Sequence, residues 1–151
     1  MAVKVSLLER LNQDMKTAMK NKEKTKLSVI RMLRSEIKNE EIQRQHTLSD
    51  EEVIEVLMRE LKKRKDALQQ FEEAGRDDLV QQLREEITVI EPYLPEQLSE
   101  EELRELVREV VQEIGASSKA DMGKVMKAIM PRVKGRADGK LVNRLVQEVL
   151  S

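Results

Sequence analysis

The sequence contains no cysteine and no tryptophan, and it has one phenylalanine and one tyrosine among its 151 residues. The absence of cysteine excludes disulfide bonds, thiolate nucleophiles and metal sites that need sulfur ligands. The shortage of aromatic rings excludes the stacking platforms of sequence-specific readers of single-stranded RNA. The core must therefore be aliphatic, and any nucleic acid must be recognised by its backbone and folded shape.

Long apolar runs and strand-like patterns are missing as well. No stretch approaches the ~20 apolar residues of a transmembrane helix, and residues 1–6 lack the long apolar run of a signal peptide. No segment alternates apolar and polar residues as a half-buried strand does. Charged residues make up 38% of the chain and proline occurs only three times, which favours helices. We expect an all-α, soluble, cytoplasmic protein without membrane insertion.

Helix start and stop signals predict seven helices. Ser49 with Glu52, and Ser99 with Glu102, have the capping-box spacing that begins a helix. Gly115 follows the fifth apolar periodic segment and is suited to the left-handed conformation that ends a helix. The repeated spacing of leucine, isoleucine and valine between these signals predicts amphipathic helices that pack antiparallel to one another.

The last two helices are predicted over roughly 121–130 and 138–150. Pro131 is expected to end or kink the first of them, because proline lacks a backbone donor. The Pro-rich stretch 91–95 predicts a boundary between a four-helix domain, 1–94, and a three-helix domain, 95–151. The residues of the sixth helix that are predicted to face inward are Met122, Val125, Met126, Ile129 and Met130.

Charge is distributed in blocks, although the formal net charge is only -1. Residues 1–46 carry 11 basic and 6 acidic side chains. Residues 119–151 carry 8 basic and 3 acidic side chains, so each of these two blocks has a net charge of +5. The central blocks, 47–94 and 95–118, have net charges of -6 and -5. Charges act locally, within about 8 Å in physiological salt, so the blocks matter more than the total.

The C-terminal basic block predicts a helical hairpin with its cations on one outward face. The final helix places polar residues at 140, 143, 144 and 147, the spacing of a single helical face. The only interleaved carboxylate expected there is Asp138, which suits the N-cap of that helix. The candidate phosphate-contacting cations are Lys124, Lys127, Lys134, Arg136, Lys140 and Arg144, and Asn143 could reach a ribose or a base edge.

A basic helical face has a simpler interpretation too. Helical proteins usually solvate their outer faces with lysine and arginine, so most such faces bind nothing. The one-sidedness of the hairpin argues for a binding site without establishing one. A second basic cluster, Lys16 to Lys26, spans the first interhelical turn and is another candidate for phosphate contacts.

The segments 122–126, MGKVM, and 134–146, KGRADGKLVNRLV, resemble the GatB/YqeY family. Over its full length, with EPYLP at 91–95, the chain resembles a YqeY-type protein. Its C-terminal part, about 97–151, is similar to the helical tail domain of the B subunit of the tRNA-dependent amidotransferase. That enzyme converts glutamyl-tRNA to glutaminyl-tRNA and aspartyl-tRNA to asparaginyl-tRNA. Pro131 departs from the pattern, since a basic residue is expected there.

The resemblance implies a non-catalytic accessory that binds tRNA or structured RNA, linked to tRNA-dependent amidation, because the tail domain contacts tRNA away from the chemistry. The alternative is a helical adaptor that docks a tRNA-modifying or aminoacylating enzyme through its acidic middle. The family label of carbon–nitrogen ligase with glutamine as amide donor lacks support from the residues. The five glycines are scattered, and no activated serine or cysteine is present. We predict no catalytic residues, no metal site at the lone His46 and no cofactor.

Overall fold

The computed structural model describes residues 5–151. Residues 1–4, part of the segment that lacks a signal-peptide pattern, lie outside the described residues. Between residues 5 and 151 the chain is all helical, with seven α-helices and no strand, which confirms the predicted fold class and helix number. The helices are α1 Leu7–Lys20, α2 Lys24–Arg44, α3 Asp50–Glu73, α4 Asp77–Ile90, α5 Glu100–Ile114, α6 Met122–Val133 and α7 Gly139–Leu150. The short 3-10 helices are Glu91–Tyr93 and Lys119–Asp121.

The chain divides into two compact units, Met1–Leu94 and Pro95–Ser151. In the first unit, helices α1 to α4 pack around an aliphatic core. Its largest fully buried side chains include Leu11, Ile30 and Leu57. These residues lie at helical spacing on the inward faces of α1, α2 and α3, so burial of one apolar stripe per helix accounts for the packing.

Tyr93 closes the first unit at the end of α4. Its ring is buried, its hydroxyl donates a hydrogen bond to the Asp14 carboxylate, and the Arg10 guanidinium lies 4.7 Å from the ring centroid. Arg10 also donates a hydrogen bond of 3.1 Å to the carbonyl of Pro92. A buried phenol needs such a partner, because an unpaired hydroxyl in an apolar core costs free energy.

In the second unit, α5, α6 and α7 bury one face each in a common core. The core side chains come from all three helices and include Leu103, Ile129 and Leu145, each with no exposed surface. Ser99 and Glu102 form the predicted capping box at the start of α5, and Gly115 ends that helix at a φ of 68°. This core holds α6 and α7 as a fixed hairpin, which positions the cations on their outer surfaces.

The sequence predicts that Pro131 ends or kinks the sixth helix, and the structure shows that the helix does not end there. Helix α6 continues to Val133, with the proline inside its last turn. Val133 is 1% exposed and extends the buried stripe of Val125 and Ile129. Its burial is worth about 1.5–3 kcal/mol, which offsets a proline penalty of about 3 kcal/mol.

The predicted inward position of Met130 is also wrong. Met130 is 37% exposed. Val133, in the last turn of α6, is the residue that continues the buried face instead. The cause is the helical period, since Met130 follows Ile129 by about 100° around the axis and turns away from the core. The other predicted residues, Met122 and Met126, pack against the core as partly buried side chains.

Candidate nucleic-acid interface

Two lysines of α6 point away from the core of the second unit. Lys124 and Lys127 are exposed, three residues apart, on the side of the helix opposite Val125 and Ile129. Residues three apart on a helix are neighbours on its surface. Lys134, the C-cap residue of α6, is also exposed. Because the apolar stripe fixes the rotation of α6, it also fixes the side on which the ammonium groups of Lys124 and Lys127 lie.

The first turn of α7 adds a further cation. Lys140 is exposed, and its backbone N–H donates 3.4 Å to the carboxylate of Asp138, which confirms Asp138 as the N-cap. Asn143 lies on the same helix face, where its side-chain oxygen accepts a hydrogen bond of 3.1 Å from Gln147. That bond orients the amide of Asn143 while using only its oxygen, so the amide nitrogen is available as a donor.

The turn between α6 and α7 is tied to the segment that precedes α5. The Arg136 guanidinium donates 3.1 Å to the carbonyl of Glu96, and the Gln97 side chain donates 2.7 Å to the carbonyl of Gly135. Leu98 N–H donates to the Arg136 carbonyl at 2.9 Å. Gly135 has a φ of 75°, a conformation that glycine adopts without strain. Arg136 is therefore held half-buried in a fixed turn.

Helix α5 supplies carboxylates to the arginines of the hairpin. Arg144 on α7 donates a hydrogen bond to the Glu100 carboxylate. Arg132 on α6 forms ion pairs with Glu113 at 3.2 Å and with Glu109 at 3.6 Å. The carboxylates that pair with these arginines therefore come from α5, outside the hairpin in which Asp138 was the only interleaved carboxylate expected. The sequence shows that 95–118 is acidic. It does not show which carboxylates of α5 lie against Arg132 and which lie against Arg144.

The hairpin consequently has two electrostatic parts. Its arginines Arg132 and Arg144 lie along the carboxylates of α5, whereas Lys127 and Lys140 form no ion pair with any residue between 5 and 151. We call the outward lysines the lysine face. Lysine ammonium groups are compact, strongly hydrated point charges, which suits contacts to phosphates without base selectivity. The lysine face consists of Lys124, Lys127, Lys134 and Lys140.

Asp121 is the carboxylate at the start of α6, and it closes the preceding loop. The Ser117 backbone N–H donates to it at 2.9 Å. That bond lowers the pKa of Asp121, with further contributions from the Ser118 N–H and the Lys124 ammonium. Asp121 is therefore ionised near neutral pH, and it accepts a hydrogen bond from the backbone. Among the lysines of α6, the one whose charge it offsets is Lys124.

Between 5 and 151 no three histidine or acidic side chains come together as ligands for a metal ion. His46 is half-exposed, with its Nε2 3.5 Å from the Glu52 carboxylate. No helix in this part of the chain is long and apolar enough to cross a membrane.

The comparisons with known proteins identify the family. The profile of the family described as Yqey-like protein matches residues 8–150, almost the whole chain. The chain belongs to the YqeY-like protein family. A match of that extent covers both compact units, so the family pattern is not limited to the basic hairpin.

Two curated relatives of this YqeY-like chain share a name that describes inheritance and location. It is 37% identical to altered inheritance of mitochondria protein 41, mitochondrial, of Eremothecium gossypii over 88 residues, 58% of this chain and 48% of that protein. The Kluyveromyces lactis protein of the same name is 37% identical over 84 residues, 55% of this chain and 45% of that protein. An uncharacterized Schizosaccharomyces pombe protein is 33% identical over 82 residues, 54% of this chain and 67% of that protein. The chain thus spans about half the length of the mitochondrial relatives it matches.

Proposed function

We propose that this YqeY-like chain is a non-catalytic accessory protein that binds tRNA, or another structured RNA, through the lysine face of its C-terminal hairpin. One observation carries the proposal. Lys127 and Lys140 are exposed on neighbouring helices of a fixed hairpin, without an ion pair among residues 5–151. Phosphates supply the anions that such ammonium groups lack, and release of counterions from the RNA drives the association.

The composition of the chain restricts how the RNA is held. With one phenylalanine, one tyrosine and no tryptophan, and with Tyr93 buried, the protein lacks a surface for stacking several bases. Recognition therefore rests on the backbone and the folded shape of the RNA, with the amide of Asn143 placed to reach a ribose or base edge. A compact RNA with closely spaced phosphates, such as tRNA, fits this mode of binding.

The resemblance of 97–151 to the amidotransferase tail supports tRNA as the RNA and tRNA-dependent amidation as the context. We propose further that the compact units act as separate domains, with four helices in 1–94 and three in 95–151. The cytoplasm, a reducing compartment that a cysteine-free sequence fits, is the proposed location.

An adaptor that docks a protein through α5 is the less favoured function. Four carboxylates of α5 already pair with arginines of the same unit, at positions 100, 105, 109 and 113. Exchange of these pairs for pairs with a partner would gain little, because exposed ion pairs each contribute at most about 1 kcal/mol. Lys127 and Lys140 require no such exchange, because neither forms an ion pair among residues 5–151.

The test compares two charge-matched double variants for tRNA binding across a salt series. Lys127→Glu with Lys140→Glu changes the lysine face. Lys38→Glu with Lys65→Glu makes the same change in charge at exposed lysines of the first unit. We expect the hairpin variant to lose about tenfold or more in affinity, with a salt slope lower by roughly 1.5–2, and the control to stay within about twofold. Equal losses in both variants, or tRNA binding that is absent at low salt, would refute the proposal.

A further inference from the structure

The turn between α1 and α2 concentrates lysines that the hairpin does not use. Lys16 and Lys20 lie four residues apart on α1, on the side opposite the buried Leu11 and Ala18. Lys22 lies in the turn itself, and Lys24 is the first residue of α2. All four lysines are exposed and form no ion pair with a described residue, while neighbouring Lys26 pairs with Glu23 at 4.0 Å. We call these four residues the lysine turn.

Lys22 adopts a backbone conformation that favours glycine. Its φ is 57°, in the left-handed region. The Glu23 N–H donates 2.9 Å to the carbonyl of Ala18, and the Lys22 N–H donates 3.3 Å to the carbonyl of Met19. This pair of bonds is the Schellman motif, in which the left-handed residue after a helix is usually glycine because it lacks a β-carbon.

At three other positions with left-handed backbone conformation, the residue is glycine. Gly75, Gly115 and Gly135 have φ values of 70°, 68° and 75°. The exceptions among the described residues are Lys22 and Gln45, whose φ is 60°. Backbone strain of this kind is commonly stored where a side chain has a function. At the tip of the lysine turn, the strained residue contributes a cation to a group of exposed cations.

We propose that the lysine turn is a second RNA-contacting surface, which binds the sugar–phosphate backbone of structured RNA. The surface lies within the first unit and would act whether or not the hairpin binds. An anionic membrane surface is the alternative ligand for this group of lysines. Stable binding at a membrane surface requires an apolar face beside the charges, and Met19 is the one exposed large apolar side chain between residues 16 and 26. Without tryptophan, and with the single phenylalanine in α3, the turn suits phosphates on an RNA better than a bilayer.

The two strained residues provide a matched pair of substitutions. Lys22→Gly and Gln45→Gly each relieve a left-handed residue, so both should raise the melting temperature by a few degrees, about 2–6 °C. Only Lys22→Gly removes a cation from the lysine turn. We expect it to weaken tRNA binding by about two- to fivefold while Gln45→Gly leaves binding unchanged. A protein that becomes more stable and binds more weakly cannot owe its loss of binding to unfolding.

A reversal pair separates this surface from the hairpin. Lys20→Glu with Lys24→Glu should lower tRNA affinity by about tenfold, while Lys38→Glu with Lys65→Glu, the same change in charge, should leave it within about twofold. Lys38 lies 14 residues beyond Lys24 on α2, about 21 Å along the helix axis. Binding to vesicles containing phosphatidylserine is measured in parallel and should be weak and insensitive to the turn variants.

Each outcome is decisive. If turn variants bind tRNA like the wild-type chain while hairpin variants do not, the lysine turn is not an RNA surface and the hairpin proposal stands. If only the turn variants lose binding, the hairpin proposal fails and the turn proposal stands. If the turn variants lose vesicle binding but not tRNA binding, the surface belongs to a membrane contact and the inference is overturned.

Discussion

Arg132 in the last turn of α6 forms an ion pair with Glu113 on α5, with 3.2 Å between its Nη1 and the carboxylate Oε2. Arg144 on α7 is held in the same way by Glu100. These contacts give α5 a definite electrostatic role, because they neutralise the arginines of the hairpin and leave its lysine face charged. Since both ion pairs are largely exposed, each contributes at most about 1 kcal/mol and can exchange with an incoming phosphate.

Removal of these carboxylates should strengthen RNA binding. Glu100→Gln with Glu113→Gln releases Arg144 and Arg132 for phosphate contacts. The control, Glu101→Gln with Glu105→Gln, makes the same change in charge on the same helix without touching either arginine. We expect tRNA affinity to rise about three- to tenfold in the first variant and about twofold or less in the control, in binding assays at a fixed salt concentration. Equal gains would mean that only the overall charge of α5 matters.

A lysine in place of Pro131 should extend the lysine face. Position 131 is exposed and lies four residues after Lys127 and seven after Lys124, on the same side of α6. Lys restores a backbone donor within the helix and adds a cation. We expect a rise of about two- to threefold in tRNA affinity for Pro131→Lys. Pro131→Gln, which restores the donor without the charge, should bind like the wild-type chain, and a gain in both variants would show that only the helix backbone matters.

Two glycines of the second unit should respond in opposite directions to alanine. Gly115 has a φ of 68°, so a β-carbon there is strained although nothing lies within 4 Å of it. Gly139 also has open space around it and begins α7 without a positive φ. Gly115→Ala should lower the free energy of unfolding by about 1–2 kcal/mol. Gly139→Ala should leave the free energy of unfolding unchanged or raise it by up to about 1 kcal/mol. Urea denaturation of the two variants measures both changes.

Tyr93 should make the first unit sensitive to alkaline pH. Burial raises the pKa of Tyr93, and the hydrogen bond to Asp14 raises it further. A group whose pKa is higher in the folded state than in the unfolded state stabilises the fold below the unfolded pKa, about 10 for tyrosine, and loses that contribution as the pH rises above it. Stability should therefore fall above about pH 10.

The single tyrosine makes this prediction directly measurable. Because Tyr93 is the only tyrosine and tryptophan is absent, the near-ultraviolet absorbance of phenolate reports on this residue alone. Phenolate should appear together with the loss of helical circular dichroism rather than before it. Tyr93→Phe should reduce stability by about 1 kcal/mol at neutral pH and remove part of the alkaline dependence. Phenolate that forms at its ordinary pH in the folded protein would contradict the described environment.

Local signals in the sequence predicted a large part of the fold. The start of α3 at Ser49 and of α5 at Ser99 followed from serine and glutamate three residues apart, and both capping boxes form. These features depend on neighbouring residues only, so pattern alone finds them. The end of α6 did not follow in this way, because burial of Val133 in a core built by three helices overrides the local preference of Pro131.

The candidate site was predictable in its residue types but not in its pairing. The cationic face of the hairpin followed from helical spacing, since the apolar stripe determines what must point outward. The ion pair between Arg144 and Glu100 joins residues 44 apart in the chain, and such contacts depend on how α5 packs against α7. The left-handed conformation of Lys22 could not be predicted from the sequence either. Glycine or asparagine, not lysine, is the usual signal for that conformation.

The most direct test of the RNA-binding hairpin is a titration of isotope-labelled protein with tRNA, followed through the backbone amide chemical shifts. Binding through the lysine face predicts saturable shifts concentrated in 122–134 and 139–147, which weaken as salt is added. Shifts confined to the acidic helix α5, or no saturable shifts at low salt, would contradict the account.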